Sequence, residues 1–321
     1  MDFTGYNSGD GVVDKEFAIR PVMKINLSDI NSSVGSYETS ERKTNDEADM
    51  LANAKIPRAR RKNADGIAVI IGVKDYDSGV NPVAYAHNDA SAVKNFVIKT
   101  LGYNEENIIY ETNPTKGRME QIFGTKEDYK MQLHNWIKPG KSDVFIYYTG
   151  HGAPDQKTKS AYFVPKDADP NYIRAGGYAM ETLYSNLAKL PARSITVVTD
   201  ACFSGQDGRG KMIIKSASPL SVSARLPIAG RGTNSKMTVF NASRVNEMAS
   251  WYDAAQHSLF TYYFLLGLSG KADADDDNII TAGELDAYLQ EQVPYLARKL
   301  YNREQHPMFI GNINATIAEY K

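Results

Sequence analysis

From Gly66 onward the chain alternates short apolar runs with stretches of helical periodicity, and that alternation restricts the fold more than any other feature. IAVIIGV (residues 67–73), DVFIYYTGHG (143–152) and SITVVTDACFSG (194–205) are near-continuous apolar strands with polar or small residues only at their ends. Strands of that kind are covered on both faces, as in a parallel sheet between helices. Helical patterns are expected over 88–103, 126–137, 181–190, 258–268 and 282–300, the second stopped by Pro139-Gly140. A strand near 107–111, a hairpin at SAYFVPKD, a strand at KMTVFNAS and an edge strand at HPMFIGN complete the pattern. The expected architecture is an α/β three-layer sandwich, helices on both faces of a mostly parallel sheet. Neither a GxGxxG fingerprint nor a P-loop is present, so no nucleotide cofactor is implied.

Residues 1–65 read differently, as an N-terminal extension or linker before a domain over 66–321. They are rich in Ser, Asn, Asp and Glu, carry two candidate edge strands at 17–19 and 22–27, and end in the basic run KIPRARRK. The whole chain balances 37 basic against 38 acidic side chains. That balance argues against a mainly electrostatic binder of nucleic acid or membrane. The longest apolar stretch, residues 259–268, is too short to span a bilayer, and the N-terminus lacks a signal-peptide pattern. A cytoplasmic protein, monomeric or weakly dimeric, is expected. The single cysteine, Cys202, excludes an internal disulfide and a multi-cysteine zinc site.

Cys202 stands just past one apolar strand and His151 just past another. In open α/β sheets functional groups collect at the carboxyl ends of strands. A thiol attacks a carbonyl as its thiolate, and a nearby imidazole can take the proton and later protonate the leaving amine. Gly152 allows a backbone N–H to approach a developing oxyanion, with the Cys202 N–H as second donor. Each residue alone also fits a plainer role, Cys202 as a small buried hydrophobe and His151 as an ordinary polar residue. Asp200 precedes Cys202 by two positions, so strand alternation turns its carboxylate toward the same region, and Thr149 stands likewise before His151.

YYTGHG followed by TVVTDACFSG resembles the caspase–metacaspase superfamily of cysteine peptidases, in its bacterial or metacaspase-like branch. AVIIGV, YAHNDASAV, FVPKDA and HSLFTYYFLLGLSGKAD support the resemblance from Gly66 to Gly311. It implies a caspase-like sandwich, a His151–Cys202 dyad, and Gly152 with Cys202 as oxyanion donors. Animal caspases have Gln where this chain has Asp200. The resemblance also implies that Asp89, in YAHNDA, lines the pocket for a basic side chain together with Asp200 and Thr149. Protein or peptide substrates cut after Arg or Lys are therefore expected. Self-processing is expected at exposed basic sites, either at 58–62 or in the Gly/Ser-rich segment holding Arg209, Lys211, Lys215, Arg225 and Arg231.

A second constellation lies in KADADDDNIITAGELDAYL. Asp273, Asp275, Asp277 and Glu284 occupy positions 1, 3, 5 and 12 of an EF-hand-type loop, and Asn278 stands where glycine is usual. Calcium is a possible ligand there; a solvated acidic loop capped by Thr281 is the plainer reading. No cofactor is needed for the chemistry at Cys202. A catalytically silent interaction module, possibly calcium-binding, is the competing functional expectation.

Overall fold

The computed structural model describes residues 51, 56–155, 157–158, 160–203, 236–244 and 247–321. All of them lie in the second of the two units into which the chain divides, Asn45–Lys321. The expected strands at 17–19 and 22–27 and the basic segment 206–235 fall outside the described residues.

In chain order the strands are β1 (Ile67–Gly72), β2 (Ile108–Thr112), β3 (Asp143–Thr149), β4 (Gly152–Pro154), β5 (Ala161–Phe163) and β6 (Tyr178–Ala179). They continue as β7 (Ser194–Asp200), β8 (Met237–Asn241), β9 (Trp251–Tyr252), β10 (His257–Ser258), β11 (Ile279–Thr281), β12 (Met308–Ile310) and β13 (Thr316–Glu319). The helices are α1 (Ala86–Lys99), α2 (Lys116–Phe123), α3 (Gln132–Trp136), α4 (Ile173–Gly176), α5 (Met180–Lys189), α6 (Leu259–Leu266) and α7 (Ala282–Tyr301).

The main sheet runs β12-β8-β7-β3-β1-β2, parallel throughout except where β12 joins β8 antiparallel at the edge. This is the expected three-layer sandwich. In β1, Ile67, Val69 and Ile71 pack into one core with α2, α3 and α5, while Ala68 and Ile70 pack into the other with α1, α6 and α7. β3 alternates in the same way, Val144, Ile146 and Tyr148 against Phe145 and Tyr147. Burial on both faces is why these strands read as unbroken apolar runs. All eight residues of α6 are buried, which is why that helix has no polar face.

The helix expected over 126–137 shrinks to α3. Before it, the Thr125 hydroxyl accepts from the N–H groups of Glu127 and Asp128, and Asp128 accepts from Lys130 N–H. Side chains that take backbone donors in this way offer the chain an alternative to a helix. α2 forms just ahead of this segment, capped by Thr115, whose hydroxyl accepts from Arg118 N–H at 3.2 Å.

The basic run is not a free linker. Ala59 N–H donates to Lys99, Arg60 N–H to Glu319, Asn63 N–H to Gly102, and Lys321 N–H to Arg58. Residues 56–63 thus join the body ahead of Gly66, with cationic side chains exposed but much of the backbone paired. No helix among the described residues is long and apolar enough to cross a membrane.

Candidate active site

Strand register builds the site. β3 and β7 are adjacent and parallel, with Thr149 opposite Asp200 as the last pair. Two residues further on, each chain delivers its reactive side chain, His151 and Cys202, into one narrow cleft. Val83, Thr149, Gly150, His151, Asp200, Ala201, Cys202, Ala249, Ser250, Trp251 and Ser258 enclose about 20 Å³ there, room for little more than one water. His151 and Cys202 are 3% and 7% exposed.

The two loops touch through Gly152. A Cβ on Gly152 would lie 2.8 Å from the Cys202 carbonyl oxygen and 2.5 Å from the Phe203 ring. Only glycine permits that approach. On its other side, Gly152 stands opposite Phe163 of β5, and the ladder there is made by Val164 N–H donating to the His151 carbonyl at 3.1 Å. That pattern makes Gly152–Phe163 a non-hydrogen-bonded pair, so the Gly152 N–H points away from β5.

His151 is held from three directions. Its backbone N–H donates to the Tyr76 hydroxyl at 2.8 Å, and the Tyr148 hydroxyl donates to its carbonyl at 2.9 Å. The Tyr76 ring lies 4.9 Å from the imidazole. Its Nε2 stands 2.7 Å from the Asn81 carbonyl, which can only accept, so Nε2 carries a proton and, in the neutral ring, Nδ1 is the basic nitrogen. Burial raises the Tyr76 and Tyr148 hydroxyls far above the usual phenol range, so both remain neutral donors and acceptors. Cys202 Sγ accepts from Ala249 N–H at 2.8 Å. The Ala249 carbonyl lies 3.6 Å from Sγ as an acceptor for the thiol hydrogen, so one backbone residue meets the sulfur with both a donor and an acceptor.

Beside and behind the reactive pair lies a second polar cluster, buried except for the partly exposed His257. Asp200 Oδ2 accepts from the Ser258 hydroxyl, from Thr261 N–H at 3.2 Å and from the Thr261 hydroxyl at 2.6 Å. Asp89 Oδ1 accepts from His257 Nδ1 at 2.7 Å, and Asp89 Oδ2 contacts the Ser258 hydroxyl at 2.8 Å. The Tyr147 hydroxyl meets Thr261 Oγ1 at 2.6 Å. Burial, reinforced by the neighbouring Asp89 charge, pushes Asp200 up to about 7. Burial likewise raises Asp89, against the opposing pull of His257 and Ser258.

All the expected residues of this region come together, with one change of position. Asp200 and Thr149 line the cleft, but Asp89 does not. It is wholly buried one hydrogen bond behind Ser258. Gly72 explains how Asp89 gets there: a Cβ on it would sit 2.7 Å from the Ala86 carbonyl, so α1 starts directly over the end of β1. Sequence reasoning missed Tyr76, Asn81, Ala249, Ser258, Thr261 and His257. A signal existed for Ser258 and Thr261, polar residues bordering or interrupting an otherwise apolar buried run. Asn81 and Ala249 act through backbone atoms, on which sequence is silent.

Carboxylate oxygens of Asp273, Asp275 and Asp277 lie within 4.8 Å of one another and could hold a hard cation. Glu284 does not join them. Its carboxylate closes a capping box with Thr281 and accepts from Ala274 N–H.

The caspase-domain sequence model matches residues 65–313, more than half of the chain. The chain belongs to the caspase-domain family of peptidases. A curated relative, metacaspase-1 of Eremothecium gossypii, is 28% identical over 148 residues, 43% of this chain and 31% of that protein. The match thus spans less than a third of that relative's length. Among solved structures, caspase-1 from Spodoptera frugiperda matches with a TM-score of 0.50 at 16% identity, covering 81% of this chain and 92% of the other. A protein from Geobacter sulfurreducens matches with a TM-score of 0.52 at 15% identity, covering 80% of this chain and all of the other. At such identities the likeness is one of fold, and it agrees with the caspase-domain sandwich described above.

Proposed function

We propose that this caspase-domain protein is a cysteine endopeptidase that cleaves after Arg or Lys through an acyl-enzyme on Cys202. The observation that carries the reading is the β3–β7 register, which delivers His151, Cys202 and the Asp200 carboxylate into one cleft. With Nε2–H committed to Asn81, His151 takes the thiol proton at Nδ1. Sγ then attacks the scissile carbonyl, and the N–H groups of Gly152 and Cys202 receive the developing oxyanion. His151 returns the proton to the leaving amine, and water attacks the thioester under the same base. No cofactor is required for these steps. The aspartates at 273, 275 and 277 take no part in them.

The specificity assignment follows from charge. A buried carboxyl on the cleft wall suits a guanidinium or ammonium, whereas selection of Asp would call for arginines. Asp200 meets the incoming cation, Thr149 adds a hydroxyl, and Asp89 supports from behind. The cleft must widen to admit such a side chain, and Val83, in the connection between β1 and α1, is the lining residue away from the strand ends. Self-processing, where it occurs, is assigned to 206–235, since the backbone of 58–62 is engaged with the body. The test is hydrolysis of arginyl and lysyl peptide amides by wild type, Cys202→Ala and His151→Ala. Turnover lost in both variants with the fold retained supports the reading; full turnover in either ends the Cys202–His151 mechanism, and none in wild type favours a silent interaction module.

A further inference from the structure

The cluster behind the cleft contains a proton-counting constraint. Ser258 Oγ is within hydrogen-bond distance of both Asp89 Oδ2 and Asp200 Oδ2, yet a hydroxyl has one hydrogen to give. If both carboxyls were ionised, one of those two short oxygen–oxygen contacts would lack a proton. With the cleft empty, one carboxyl therefore donates to Ser258 while Ser258 donates to the other. The donors fixed on each side decide which. Asp89 Oδ1 receives His257 Nδ1–H at 2.7 Å, and both Asp89 oxygens face Ser258 N–H at 3.3 and 3.2 Å. The Ser258 N–H cannot reverse, and His257 donates to Asp89 in the tautomer that carries its proton on Nδ1, so together they favour the acceptor-only carboxylate at Asp89. Asp200 has a single N–H contact, from Thr261 at 3.2 Å, and its other partners are hydroxyls that can turn.

We infer that His257 is a positioning residue of the specificity cleft. Through Asp89 and Ser258 it directs the hydrogen-bond chain so that Asp200 holds the proton when the cleft is empty and releases it when a basic side chain enters. This rests on the cysteine-peptidase reading above and deepens it. The balance is simple. The O–H bond of Asp200 breaks, its proton passes to solvent, the Ser258 hydroxyl turns from Asp89 to Asp200, Asp89 keeps the N–H donors of His257 and Ser258, and the cation of the substrate offsets the second carboxylate charge.

The groups facing Asp200 are Asp89 from α1, His257 and Ser258 from β10, Tyr147 and Thr149 from β3, Thr261 from α6, and the reactive pair His151 and Cys202. Of these, Asp89 is the one whose charge opposes ionisation of Asp200, and an Asp200 carboxyl raised to about 7 is in keeping with that. Below that pH a cationic side chain must displace a proton, so KM for an arginyl substrate should rise about tenfold per pH unit; above it KM should be flat.

Two experiments test the inference. In the first, kcat and KM for an arginyl peptide amide are followed from pH 5.5 to 8.5 in wild type, His257→Leu and His257→Asn. Removing the donor lets Asp89 keep a proton, which takes its charge away from Asp200. The midpoint of the KM profile should then move about one unit to acid in His257→Leu. His257→Asn, which places an amide N–H near the Nδ1 position, should restore it, and the change should fall on KM rather than kcat. The second needs no His257 variant. Calorimetry of Cys202→Ala with an arginine-containing peptide at pH 6.5, in two buffers of different ionisation enthalpy, should show more than half a proton released. A wild-type KM independent of pH, the same midpoint in all three proteins, or binding without proton release would overturn the role given to His257. If arginyl peptides are cleaved, any of those results leaves the peptidase reading standing; absence of arginyl cleavage and binding removes both.

Discussion

Replacing Gly152 by alanine tests the geometry of the site more sharply than removing a reactive group. The added methyl would meet Phe203 ring carbons at 2.5 and 2.6 Å and the Cys202 carbonyl oxygen at 2.8 Å. Carbon atoms pack comfortably at about 3.5–4.0 Å, so one loop has to retreat by roughly 1 Å. The Phe203 ring can turn only against Phe163, 5.8 Å away centroid to centroid, and the Cys202 backbone cannot yield without carrying Sγ with it. Overpacking of this kind costs about 1–3 kcal/mol. For a domain of this size that lowers Tm by a few degrees, at about 2–4 °C per kcal/mol. The effect on catalysis should be much larger, because a displacement of about 1 Å at a reacting pair costs on the order of a hundredfold in rate. The assay is kcat/KM on an arginyl peptide amide beside thermal unfolding of the same preparation. Gly117→Ala serves as control: that glycine lies within α2 with open space where a Cβ would go, so the change should raise stability by about 0.5–1 kcal/mol and leave turnover alone. A Gly152→Ala enzyme with wild-type kcat/KM would refute the contact argument and the close packing of the His151 and Cys202 loops.

Other outcomes follow from the same geometry. Cys202→Ala and His151→Ala should each lower turnover by at least about a thousandfold while thermal unfolding stays near wild type, since losing the nucleophile removes the covalent route and losing the base leaves the thiol largely protonated. Asp200→Asn should weaken kcat/KM on arginyl substrates by about a hundredfold or more, in line with the 2–5 kcal/mol typical of a lost buried charge partner; equal loss on uncharged substrates would point to a structural role instead. Thr281→Ala breaks the capping box of α7 and should cost about 1 kcal/mol, read as a Tm drop with KM unchanged.

The strands that position the site were legible because burial on both faces writes an unbroken apolar run into β1, β3 and β7. His151 and Cys202 were legible for a related reason, as reactive side chains following such runs. What could not be read was whatever depends on pairing across the chain. Asp89 and His257 are 168 positions apart, and only the packing of β10 beside α1 makes them partners. The same holds for the displacement of Asp89 from the cleft wall. Its motif position led to the expectation of a pocket residue, but Ser258 stands between it and the cleft. Residues 56–63 looked like solvated linker because their charged side chains are indeed exposed. The hydrogen bonds that tie them down belong to the backbone. Around Thr125, side-chain competition for backbone donors ended a helix that periodicity alone would have extended.

The measurement that bears most directly on the central claim is cleavage-site profiling on an unbiased peptide library, read by mass spectrometry, with Cys202→Ala as the paired control. The account predicts bonds cut on the carboxyl side of Arg and Lys, and none by the variant. Cleavage after Asp, or the same products from Cys202→Ala, would contradict it.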